Sequence, residues 1–166
     1  MKVVSDASPL IALARINWLN RLPELYANVL ISTEVYAEVV VAGAGLPGAG
    51  QIAAASWIEV SPVREASAVT EAVRRTGLGA GEVSTVILAK EITAGLALID
   101  ERRARRYARG EGLEVMGCVG ILETLHRRRY LPDVRGAYKR LLDHDFRIDL
   151  RALQESLVRL GRPPLE

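Results

Sequence analysis

Short strand-like segments alternate with helical stretches through the first two-thirds of this chain. The strand-like pieces are "KVVS" (2–5), "NVLIS" (28–32), "WIEVSP" (57–62), "GLALID" (95–100) and "LEVMG" (113–117). Between them lie "LIALARI", with Ser8 and Pro9 placed as cap and first helical residue, then "TEVYAEVVVA" (33–42), "REASAVTEAVRRTG" (64–77), "LGAGEVSTVILAKEI" (78–92) and "ERRARRYARGEG" (101–112). Gly77 closes one of these helices and Ser32 can cap another. Alternation of this kind predicts an α/β fold with a mainly parallel sheet covered on both faces. After residue 117 only helices are expected. The last runs from Asp149 to Gly161 and sets Leu150, Leu153, Leu157 and Leu160 on one side, against the core or a partner subunit, the core being the commoner case.

Such a sheet binds ligands beyond the carboxyl ends of its strands. Two carboxylates stand there: Asp6 after the first strand and Asp100 after the fourth. Each has an ordinary explanation, as a turn residue or a helix cap. Glu82 opens a helix, where the helix dipole favours an acid. Glu38 shares a helical face with Glu34, a mildly unfavourable pairing beside apolar Val35, Val39 and Val40. Taken together the four are harder to dismiss. If they converge, their repulsion amounts to roughly 4 kcal/mol per pair at 4 Å and an effective dielectric of 20. An all-oxygen cluster of that kind calls for a hard divalent cation, Mg2+ or Mn2+.

The rest of the composition narrows the chemistry. At 166 residues the chain is expected to form a single domain, 1–166. One cysteine, Cys118, excludes an internal disulfide and a cysteine-based zinc site. His126 and His144 lie in the late helices without a metal or triad motif around them, and "GAGLPGAG" lacks the lysine of a phosphate-binding loop. No apolar run is long enough to span a bilayer and no leader is recognisable, so a cytoplasmic location with no membrane partner is expected.

The net charge is only +2, but the basic residues are clustered. Arg102, Arg105, Arg106 and Arg109 share an arc of roughly 100° on one helix, with Ala104, Tyr107 and Ala108 opposite. "HRRRY" (126–130) adds a second cluster. Acids for a cation beside guanidinium groups for phosphates suit a phosphodiester substrate. Aromatic residues make up only 5%, which argues that base stacking is a small term.

The segments "VVSDASPLIALARI", "VYAEVV", "GAGEVSTVILAKE" and "ALIDERRARRYA", in this order, resemble the PIN-domain ribonucleases, and most closely the small prokaryotic branch related to VapC-type toxins. The resemblance covers about residues 1–130. It implies a three-layer α/β/α sandwich, with the helices from about 131 to 166 as an extension. It also implies Mg2+- or Mn2+-dependent hydrolysis of RNA. By the same resemblance Asp6, Glu38, Glu82 and Asp100 are the catalytic acids, and Asp6, Glu82 and Asp100 hold the metal. Ser8 supports the first acid, and Glu101 is a further nearby acid. Arg102, Arg105, Arg106 and Arg109 would contact RNA. An antitoxin partner and a homodimer are implied too. This chain departs from the family pattern in carrying Glu82 where Asp is common and "LID" where Thr-x-Asp is usual.

Two other functions compete. A PIN-like module could hold RNA or protein without cleaving it. An aspartyl-phosphate phosphotransferase would need Asp-x-Asp after the first strand, and Ser8 stands at the third position.

Overall fold

The computed structural model describes residues 1–144, 146 and 148–166. Its centre is a five-stranded sheet in the order β3-β2-β1-β4-β5, parallel at every pairing. The strands are β1 (Val3–Ser5), β2 (Val29–Ser32), β3 (Ile58–Ser61), β4 (Leu96–Leu98) and β5 (Val115–Met116). The helices are α1 (Ala7–Arg15), α2 (Thr33–Tyr36), α3 (Ala49–Ala54), α4 (Ala66–Thr76), α5 (Ala80–Glu91), α6 (Arg102–Gly110), α7 (Cys118–Arg127), α8 (Val134–Asp143) and α9 (Leu150–Arg159). A 3-10 stretch, Leu19–Glu24, follows α1.

Successive strand residues face opposite layers. Val3 and Leu98 join a cluster with Leu10, Ile31, Ile121, Tyr138 and Leu157. Val4, Ala97 and Ile99 join one with Val69, Val83, Val86 and Ala104. Helices α1, α3, α7, α8 and α9 therefore cover one face, and α4, α5 and α6 cover the other. The result is the expected α/β/α sandwich. Because both faces are covered, the central strands are mostly apolar: Val3, Val4 and Leu96–Leu98 are buried, and the buried Ser5 that ends β1 donates its hydroxyl to Asp6 O.

β1 lies at the middle of the sheet, with β2 on one side and β4 on the other. The chain leaves β1 along one face through α1 and returns to β4 from α5 on the other. A crevice opens at such a switch point beyond the strand ends.

Several local expectations are met. Ser32 caps α2, its Oγ accepting from the Val35 N–H at 3.0 Å. Gly77 ends α4 in the left-handed region, φ 73°, where other residues are strained. Asp149 caps α9. Others are corrected. Helix α1 begins at Ala7, so Asp6 and not Ser8 holds the cap position, and Ser8 and Pro9 fall in the first turn. Proline is tolerated there because first-turn N–H groups have no intrahelical acceptor. β4 ends at Leu98, two residues before Asp100. The helix expected over 33–42 is α only to Tyr36 and continues as a π-helical turn over Ala37–Ala42.

The C-terminal helices are built into the core. Leu153 and Leu157 are fully buried, and Leu160 packs against them at partial exposure. Leu150, expected on the same stripe, is 49% exposed because it stands on the opening turn of α9, outside the packed face. A buried polar chain ties α9 down: the Tyr138 hydroxyl meets Ser156 Oγ at 2.6 Å, and Ser156 Oγ meets Glu123 Oε2 at 2.7 Å. Arg159 closes on Glu123 at 3.0 Å. If α9 is integral to the fold, Leu157→Ala should cost about 2–5 kcal/mol in urea unfolding, as a buried Leu→Ala does, and in the same transition as the rest of the chain.

Candidate active site at the tips of the central strands

Asp6 follows directly on β1. Its backbone N–H donates to Leu98 O at 2.9 Å, which extends the β1–β4 ladder by one rung and locks its position beside the next strand. The residue is 3% exposed. Although it sits at the cap position of α1, its carboxylate makes no capping hydrogen bond. Asp6, expected as a turn residue before a Ser8 cap, stands instead at the cap position itself and does not cap.

Glu38 comes from the π-helical turn and Glu82 from the first turn of α5. The approach of Glu38 to Asp6 depends on Gly81. A Cβ at Gly81 would lie 2.5 Å from Glu38 Oε2 and 3.5 Å from Asp6 Oδ1. The two carboxylates thus flank the one residue of α5 that has no side chain to separate them. A hydroxyl ladder holds the two helices in this register. Ser84 Oγ and Thr85 Oγ1 both donate to Gly81 O, at 3.0 and 2.7 Å. Ser84 Oγ also meets Ser32 Oγ at 2.7 Å. Since the Ser84 proton is used on Gly81, Ser32 supplies the proton of that contact while accepting from Val35. The cap of α2 and the first turn of α5 are thereby one buried network.

Glu82 and Asp100 each have a local partner as well. Glu82 Oε1 accepts from the Gly79 N–H at 3.0 Å, the returning half of a capping box. Asp100 Oδ1 accepts from the Cys118 N–H at 2.7 Å, at the start of α7. Asp100 does not cap α6: Glu101 does, accepting from the Ala104 N–H at 2.7 Å. The extra acid beside Asp100 is therefore accounted for by helix capping.

The charges feel one another. Burial pushes the Asp6 carboxyl up from 3.8 to about 7, opposed by the Ala7 N–H and reinforced by Glu82, Glu38 and Asp100. Glu38 is raised by desolvation and then by Glu82. Asp100 is raised by burial and held down in part by Cys118 and Arg105. The Cys118 thiol is buried and pushed well above its ordinary value, by burial and by Asp100, so it is a poor nucleophile.

Among the described residues, no three Asp, Glu, His or Cys side chains stand close enough to hold one cation. Asp6 and Glu38 are brought together around Gly81, while Glu82 and Asp100 lean toward their backbone donors. The donor set itself is all carboxylate, which fits Mg2+ or Mn2+, and the raised Asp6 shows the electrostatic cost that a cation would offset.

Beside Asp100 runs a groove of about 630 Å3. Ser8, Glu101, Arg102, Arg105 and Arg109 line it with Asp100. The expected basic arc is thus divided. Arg106 turns away, into a shallow hollow of about 190 Å3 with Thr76, Leu78, Arg103 and Tyr107. Ala104 and Ala108 are buried on the sheet as expected, so α6 can present its arginines only around the remaining faces. In the second basic cluster, Arg127 is engaged with Glu123 at 2.9 Å and His126 with Leu131 O at 2.6 Å.

A family model described as a PIN domain matches residues 2–162. The chain belongs to the PIN-domain family. No curated protein matches it. A PIN domain is a nuclease fold, and divalent metals and nucleic-acid substrates are typical of it. The match extends through α9, beyond the segments "VVSDASPLIALARI" to "ALIDERRARRYA" that carry the resemblance in the sequence. No helix among the described residues of this PIN domain is long and apolar enough to cross a membrane.

The residues missed from sequence are Gly81 and the Ser32–Ser84–Thr85 ladder. "GAGEVST" shows the glycine, but nothing in the string says which helix it faces.

Two outcomes follow. Between pH 4 and 7 the unfolded chain has already lost the Asp6 proton that the folded chain keeps, so this group lowers stability as pH rises. Without divalent cations, Asp6→Asn should raise the melting temperature at pH 8 by the equivalent of at most about 4 kcal/mol, and by little near pH 4. Equal gains at both pH values would contradict the burial argument. Gly81→Ala should leave stability unchanged or raise it by about 0.5–1 kcal/mol, through helix propensity, because the atom that must yield is the tip of a flexible side chain. A crystal structure of that variant should show Glu38 displaced.

Proposed function

We propose that this PIN domain is a Mg2+- or Mn2+-dependent ribonuclease, with residues 1–166 acting as one unit. The observation that carries the reading is the buried Asp6 carboxyl at the switch point, uncapped, beside Glu38 and under the field of Glu82 and Asp100. A structural aspartate would be expected to cap α1, and this one does not.

In this reading Asp6, Glu82 and Asp100 hold the cation. When bound, it supplies Lewis acidity that neutralises the phosphodiester and makes water a better nucleophile. Glu38 takes the proton of the attacking water; burial and the neighbouring Glu82 raise its pKa above the ordinary glutamate value, the direction that makes a carboxylate a stronger base. Arg102, Arg105 and Arg109 receive the phosphates along the groove, and Ser8 borders the same mouth. Arg106 is placed to meet only RNA that wraps round α6. The likeness of "VVSDASPLIAL" and "LIDERR" to toxin-type PIN proteins supports a toxin role in a toxin–antitoxin pair, with a neighbouring antitoxin and a homodimer as its partners.

A binding module that does not cleave is favoured by one observation: the three metal-holding acids are not gathered among the described residues. Incubation with mixed RNA separates the two. Cleavage should appear with Mg2+ or Mn2+, vanish with EDTA, and fall at least 100-fold in Asp6→Asn and Glu38→Gln. RNA binding without cleavage under any divalent cation would select the module. Cleavage that survives Asp6→Asn would be assigned to another nuclease in the preparation.

A further inference from the structure

The groove beside Asp100 has two unlike kinds of lining. Arg102, Arg105 and Arg109 of α6 form one. Ala12, Val119, Phe146, Ile148 and Ala152 supply apolar lining to the same groove. A site for phosphate alone has no use for the apolar lining, and a site for an apolar peptide or lipid chain has no use for three arginines. A nucleotide carries both chemistries. The volume of about 630 Å3 falls in the range of small-molecule sites.

The arginines are available. Among the described residues, the buried Arg105 Nε has no hydrogen-bond partner. Among the described residues, Arg105 and Arg109 form no ion pair, and Arg102 reaches only Asp149, at 3.9 Å with both side chains largely exposed. A pair of that kind contributes little and yields readily to a phosphate.

Phe146 is the only phenylalanine in the chain. The Arg15 guanidinium lies over its ring, 5.4 Å from the centroid, which steadies the ring where it lines the groove. At Gly117, Asp100 Oδ1 and an Arg105 guanidinium nitrogen lie 2.6 and 3.4 Å from the position a Cβ would take. The groove is thus lined by one of the four acids as well as by an aromatic ring.

We propose that this groove is a nucleobase subsite: an unpaired base lies against Phe146 and Ile148 while its phosphates meet the α6 arginines. This rests on the ribonuclease reading above. In a duplex the bases are stacked and paired, and none is free to enter the groove. The low aromatic content is no obstacle, since one ring placed beside the acids suffices to stack one base.

The test is a binding titration with the Asp6→Asn chain and a short fluorescein-labelled oligoribonucleotide, read by anisotropy. The same strand is used with a single abasic nucleotide moved through each position, and as a duplex. One abasic position should weaken binding roughly 5- to 100-fold, and the duplex should bind less tightly than the single strand. Adding Phe146→Leu should cost a similar factor and remove the abasic effect at that position. Its melting temperature checks the fold, and the abasic scan alters no protein residue. If the wild-type chain cleaves RNA but every abasic position is equivalent and Phe146→Leu binds normally, the subsite is wrong and the nuclease reading stands. If the abasic signature appears but the wild-type chain cleaves nothing with Mg2+ or Mn2+, the subsite stands and the nuclease reading falls. Absence of both binding and cleavage ends both.

Discussion

A carboxylate is buried where the central strand ends. Asp6 cannot move to water, because its backbone is the last rung of the β1–β4 ladder and α1 starts at the next residue. Nor does it take the capping bond that would satisfy it locally. Burying an uncompensated charge is expensive, and proteins answer it by protonation, pairing or ion binding. Among the described residues, the charges that influence Asp6 are three more acids. The site works against folding stability, and a fold with two well-filled hydrophobic layers can carry that cost.

The approach of α2 to α5 has the same origin. Small and hydroxyl-bearing residues occupy the contact: Gly81, Ser84 and Thr85 on α5, and Ser32 before α2. Their hydrogen bonds leave no buried hydroxyl in the network without a partner, and they hold the two helices in the register that sets Glu38 near Asp6. The π-helical turn that carries Glu38 belongs to this arrangement, since such turns commonly re-aim a side chain at a functional site.

On the other side of β1 the architecture changes character. α6 lies on the sheet through two alanines, so its arginines are pushed outward, and the helix divides them between two surfaces. The segment before α9 closes the groove with Phe146 and Ile148. The C-terminal helices thus shape the mouth on one flank as well as completing the core.

Much of this was legible in the string of residues. Apolar runs broken by caps and glycines determined the parallel three-layer fold, because a strand covered on both faces has to be apolar along most of its length. The position of Asp6 and Asp100 just past such runs followed from the same rule. Which face of α6 each arginine takes, which acid caps a helix and which does not, and the closeness of Glu38 to Asp6 were decided only by the tertiary structure. Helical periodicity says which residues share an arc but not what the arc faces. Arg106 and Leu150 fit their patterns and still point elsewhere. A glycine in sequence is a missing side chain; only the packing of α2 on α5 makes it the gap through which two carboxylates meet.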